Sequence, residues 1–131
     1  MKKARAERDL IVTHGDFSIE SGAVAAAKLC ASKEPPTAIF CFNDEMALGV
    51  METARRLKLR IPDDVSVVGF DDIRYARHLN PPLTTIAQPM RQLGEGTVRL
   101  LLEILGGDTV PDSVTLPHTL VVRASTAPPS R

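Results

Sequence analysis

A surplus of charge is the first thing this sequence lacks: 16 Lys and Arg balance 16 Asp and Glu over 131 residues. Phosphate binding normally shows as a basic excess gathered on one face, so the chain has no electrostatic footprint for gripping nucleic acid by itself. Lys2, Lys3, Arg5 and Arg8 read as a solvated helix face or a ragged terminus. No run of about 18 apolar residues occurs, and the opening MKKARAERDL has no apolar stretch behind its basic residues. Neither a membrane span nor a secretory leader is expected, and the chain reads as soluble and cytoplasmic. Cys30 and Cys41 lie in apolar surroundings without C-x-x-C spacing or a neighbouring histidine. They read as reduced core residues, and no metal or cofactor is implied.

Catalytic signatures are missing as well. There is no G-x-S-x-G, H-E-x-x-H or phosphate-cradling G-x-x-x-x-G-K-[ST], and the Gly94–Gly96 pair lacks the third glycine and the preceding strand of a dinucleotide fingerprint. His14, His78 and His118 are too far apart to form a local ligand set. The acid pairs Asp44 and Asp72 belong to invite comparison with a phosphoacceptor pocket, but no lysine follows Leu59 to complete one. A small α/β enzyme using Asp71 with His14 is a rival reading with little behind it.

What is present is ordinary globular composition, 44% apolar and 24% charged, at a length that suits one domain. Short apolar runs end in polar turns that open helix patterns, the order of strand-to-helix units in a parallel sheet. Leu10-Ile11-Val12 leads through THGDFS to a helix from about Ile19 to Ala31, with Ser18 as its cap. Thr37 to Phe42 is apolar without alternation, as a strand covered on both faces should be. Asn43 then caps a helix whose stripe is Ala47, Val50, Met51, Ala54 and Leu57, with Glu52, Arg55, Arg56 and Lys58 facing water and Leu48 off the stripe. Val65 to Phe70 forms a third strand, and Asp63-Asp64 before it a surface loop. After a short stretch halted at Asn80-Pro81-Pro82, Leu83 to Ile86 forms a fourth. Pro89 to Leu105 is a helix stopped by Gly106-Gly107, and Val114 to Val122, broken by Pro117, is a last extended segment. The fold class is α/β, a doubly wound, mostly parallel sheet.

Ligands of open parallel sheets lie beyond the carboxyl ends of the strands. The residues there are Asp16-Phe17, Asn43-Asp44 and Asp71-Asp72. A ring, a carboxamide and a carboxylate converging on that edge suit a small polyhydroxylated or heterocyclic ligand, with the ring stacking and the polar groups taking hydroxyls or ring nitrogens. Taken alone, Asn43 and Asp71 read first as helix caps and Phe17 as a core residue, ahead of the ligand-binding reading, while Asp44 and Asp72 read as first-turn acids at the positive end of a helix dipole.

GDFSIESG (15–22), PPTAIFCFNDEMALGV (35–50), IPDDVSVVGFDD (61–72) and NPPLTTIAQP (80–89), in this order, closely resemble the effector-binding region of the LacI/GalR family of bacterial transcriptional regulators. The wording GDFS and PPLTTIAQP is most similar to the cytidine- and purine-responsive members. The resemblance implies a periplasmic-binding-protein-like (type I) fold of two subdomains, a small-molecule effector between them, a sugar or a nucleoside or purine, and DNA contact only through a helix-turn-helix headpiece that this chain lacks. By that resemblance residues 1–88 correspond to the C-terminal subdomain, 89–113 to a crossover helix packed on the other subdomain, and 114–131 to the returning strand and tail. It also implies that Phe17 stacks on the effector, Asn43 and Asp71 hydrogen-bond it, and Gln88 lies at the crossover beside the cleft. Leu48, Tyr75 and Leu79 match positions of the family's dimer interface. With the helix from Pro89 deprived of its other subdomain, its apolar face (Leu93, Leu100, Leu101, Ile104) is expected to fold back onto its own sheet or to pair with another copy, by exchange of the segment after Gln88. The runner-up function is a periplasmic-type sugar- or solute-binding protein.

Overall fold

The computed structural model describes residues 10–129, so the basic residues at Lys2 to Arg8 lie outside what is described. In chain order the elements are α1 (Ile19–Cys30), β1 (Ala38–Phe40), α2 (Asp44–Arg56), β2 (Ser66–Asp71), a single 3-10 turn (Ala76–His78), β3 (Thr84–Ala87), α3 (Met90–Gly106) and β4 (Thr119–Val121). The sheet runs β1-β2-β3-β4 in space. β1, β2 and β3 are parallel, with Phe40 opposite Val68 and Asp71 opposite Ala87, and β4 returns antiparallel to β3 with Thr119 opposite Ala87. The α/β, mostly parallel architecture therefore stands as expected.

Both predicted caps form. The Ser18 hydroxyl accepts from the Ser21 N–H at 3.1 Å, and Asn43 Oδ1 accepts from the Met46 N–H at 2.8 Å. α1 and α2 pack against each other closely enough to require glycine at the contact. A Cβ on Gly22 would strike the Met46 backbone, and one on Gly49 the Ile19 carbonyl. The core lies between these helices and one sheet face, where Ala26, Leu29, Ala47, Val50 and Ala54 meet Ile39, Val67 and Leu83. At the end of α3, Gly107 takes φ 87°, the left-handed cap that the paired glycines predict.

Several expectations need correction. Leu10-Ile11-Val12 is not a strand; each side chain is at least half exposed, and without a covering layer three apolar residues gain too little to hold a ladder. β1 is covered on one face only: Ile39 is buried while Phe40 is 52% exposed, because the helices occupy only the Ile39 side. Leu57 lies one residue beyond α2 and is half exposed, so the stripe ends at Ala54. α3 does not fold back onto the sheet; none of its residues is buried, since α1 and α2 already occupy the packed face.

Candidate functional site

Because β1, β2 and β3 point the same way, their carboxyl ends share one edge of the sheet, and the residues emerging there are Asn43, Asp71 and Gln88. Phe17, on the turn into α1, joins them through a hydrogen bond: Asn43 Nδ2 donates to the Phe17 carbonyl at 2.9 Å. Gln88 Nε2 donates to Asp71 Oδ1 at 2.6 Å. The edge thus carries two hydrogen-bonded pairs, Asn43 with Phe17 and Gln88 with Asp71.

The backbone at these residues is unusual. Phe17 has φ 69° and Asp71 φ 112°, with Asp72 following at 54°. A bulky aromatic in this region costs of order 1–3 kcal/mol and persists only where the surroundings impose it. Here Asn43 imposes it at Phe17, holding its carbonyl while Asp16 Oδ1 accepts from the Ser18 N–H and hydroxyl on the other side. Those hydroxyl and amide donors hold the Asp16 carboxyl below its ordinary range. The Phe17 ring, 59% exposed, stands clear of the core, which corrects the reading of Phe17 as a core residue.

Asn43 is a helix cap and a tether at once. Its Oδ1 caps α2 and its Nδ2 holds Phe17, leaving one N–H and one lone pair for a ligand. Asp71 retains its second carboxylate oxygen and Gln88 its carbonyl. His14 is exposed, and no hydrogen bond or ion pair joins it to Asp71 among the described residues, so the acid–base couple of an enzyme is not assembled.

Asp44 and Asp72 do something the sequence does not announce. Asp44, at the start of α2, is completely buried; its Oδ1 accepts from the Thr85 hydroxyl at 2.6 Å and its Oδ2 from the Ile73 N–H at 2.9 Å. Burial pushes its carboxyl upward in spite of those two donors. No α-helix starts at Asp72; its Oδ1 pairs with Arg123 Nη2 at 2.6 Å. Neither is simply a first-turn acid at a helix dipole. Asp44 had a usable signal, since it stands three residues before Ala47 on the buried stripe. Arg123 had none, being far away in sequence. Cys41, buried near Asp44, has its thiol pushed up to about 12, so it stays protonated and inert, and Cys30 is raised by burial too.

Away from this edge, Leu48 and Leu79 line one groove of about 670 Å³ together with Ile19, Met51, Arg55 and Pro81. Tyr75 stands outside it on the same connection, 63% exposed.

Residues 2–126 match the periplasmic binding protein-like domain family. The chain belongs to this family. Within it, the relatives are LacI-type regulators. An HTH-type transcriptional repressor, PurR, of Vibrio atlanticus is 39% identical over 95% of this chain and 37% of its own length. The HTH-type transcriptional repressor CytR of Escherichia coli is 41% identical over 88% of this chain and 34% of its own. A solved LacI family transcriptional regulator of Enterococcus faecium, with bound ribose, superposes with TM-score 0.81 at 35% identity, over 93% of this chain and 45% of that one. The chain is thus an effector-binding region of the LacI/GalR type, spanning about a third of the length of the curated relatives it matches.

Proposed function

We propose that this chain senses a small polar effector for a bacterial transcriptional repressor, dimerises, and reaches DNA only through a separate headpiece. The observation that carries the reading is the pairing at the strand-end edge: Phe17 with Asn43 and Asp71 with Gln88, with Phe17 and Asp71 both in left-handed backbone. An exposed ring beside a carboxamide and a carboxylate suits a ligand with one flat or apolar face and several hydroxyls or ring nitrogens, such as a sugar, a nucleoside or a purine. Phe17 stacks on it; Asn43, Asp71 and Gln88 take its polar groups. The relatives' role as repressors favours this over a solute carrier and over an enzyme, and supports a cytoplasmic location. Effector binding shifts the population between two closures of a cleft, of which this chain supplies one wall; of the described residues, 10–88 form that wall and 89–113 pack on the opposite subdomain.

Dimerisation runs through Leu48, Tyr75 and Leu79, apolar residues that the α2 surface and the β2–β3 connection present next to one groove. Exchange of the segment after Gln88 is a second route, favoured by the absence of any buried residue on α3.

A thermal-shift panel of ribose, cytidine, adenosine and hypoxanthine tests the site. A ligand that binds only the folded chain stabilises it by about 2.7 kcal/mol at 100 times its Kd. The expected result is a raised midpoint with one ligand class, lost in both Phe17→Ala and Asn43→Ala. A midpoint unmoved by the whole panel, or one raised equally in both variants, counts against the site.

A further inference from the structure

Two successive non-glycine residues with positive φ, Asp71 at 112° and Asp72 at 54°, need something to hold them, and the hold on the second comes from the far end of the chain. Arg123, just past β4, donates from Nη2 to Asp72 Oδ1 at 2.6 Å and from Nη1 to the Leu83 carbonyl at 2.8 Å. Its own N–H donates to Thr84 Oγ1 at 2.9 Å. The planar fork thus ties together both ends of the connection that leaves β2 at Asp72 and enters β3 at Leu83. Both partners are largely withdrawn from water, with side chains 14% and 20% exposed, so the pair is far less screened than the exposed Arg60 pairs. On its other side the connection is fastened by the Ile73 N–H to buried Asp44. A carboxylate at position 72 meets the guanidinium with opposite charge, which glycine or asparagine, though each would accept the φ, would not supply.

We infer that Arg123, acting through Asp72, is a positioning residue for the effector crevice: it locks the turn that aims the Asp71 carboxylate at Gln88. The inference rests on Asp71 and Gln88 belonging to that crevice, yet the positioning itself can be read without a ligand. The Gln88 side-chain amide protons report the bond to Asp71, and Asp71→Ala gives their position when it is broken. In Arg123→Ala these resonances should move most of the way to that position. Arg123→Lys, which keeps a cation beside Asp72 but loses the fork, should restore part of the shift. Thr53→Ala, a destabilising change on α2 away from the turn, should leave them in place. If Arg123→Ala does not fold, Asp72→Gly decides, since glycine tolerates the left-handed backbone while removing the acceptor and its charge altogether. Gln88 resonances that stay put in the folded variants, or that move equally in Thr53→Ala, overturn the inference. Resonances that move as described while the thermal-shift panel stays silent would leave Arg123's role standing and count against the effector reading alone.

Discussion

Asp44 carries the sharpest consequence at the scale of single residues. It is buried with the Thr85 hydroxyl and the Ile73 N–H as its donors, so Asp44→Ala leaves the buried Thr85 hydroxyl and the half-buried Ile73 N–H unmatched and should cost about 1–3 kcal/mol for the hydroxyl, with a smaller addition for the N–H. Its pH dependence has a definite sign. Burial raises its pKa above the ordinary 3.8, so the native state holds the proton more tightly than the unfolded chain does. The stability this contributes is complete below the unfolded value and is lost as pH rises through the raised one. Denaturant titrations from about pH 4 to pH 7 should show the native chain losing stability relative to Asp44→Asn as the pH increases; a native chain that gains stability relative to Asp44→Asn over that range would contradict the assignment. Residues acting within a few positions of themselves were legible in the sequence: Ser18 and Asn43 cap as their chemistry dictates. The second task of Asn43, holding Phe17 across 26 positions, and the pairing of Asp72 with Arg123 were not, because local spacing carries no trace of contacts made only after the sheet has formed.

At the scale of elements, the sequence located the three α-helices of the described residues to within about two residues, because each has a local signal at one end: the caps Ser18 and Asn43 at the starts of α1 and α2, and Gly106-Gly107 at the end of α3. Strands were less securely read. Leu10 to Val12 has a strand's composition, but strand formation needs a neighbour's ladder and a cover for the side chains, which three residues cannot reveal. The contact between α1 and α2 offers a strict test. Gly49 meets the Ile19 carbonyl where any Cβ would lie, so Gly49→Ala should lower the unfolding free energy by about 1–3 kcal/mol, although alanine is the better helix former. Chemical denaturation would settle it: an unchanged or raised stability would mean that the two helices can slide apart at no cost.

For the whole molecule, what stands out is the apolar surface still exposed. Met90, Val98, Leu101, Leu102, Ile104 and Leu105 on α3 are all more than half exposed, as are Phe40, Phe42, Leu120 and Val122 around the uncovered sheet face. Exposed apolar residues in this number favour association, and a chain with zero net charge has little repulsion to keep copies apart. Sedimentation velocity should therefore find association that increases with concentration. If copies meet through the groove of Leu48 and Leu79, Leu48→Asp with Leu79→Asp should return the chain to monomer, while Leu101→Glu with Leu105→Glu should do so if α3 is exchanged between copies. Failure of both pairs to change the sedimentation would exclude both routes.

The return of β4 beside β3 has a topological meaning of its own. Ala87 and Thr119 face each other in register, so from the sheet's side everything from Gln88 to His118 is the tip of a single β-hairpin. Loop-closure entropy grows only with the logarithm of length, about 0.6 kcal/mol per doubling, so carrying a whole helix there in place of a tight turn, about four doublings, costs the sheet only about 2.4 kcal/mol. The same position is a natural splice point: an unrelated helix grafted between Gln88 and Thr119 would keep Gln88 beside Asp71 and leave the register of the strands that carry the crevice unaltered.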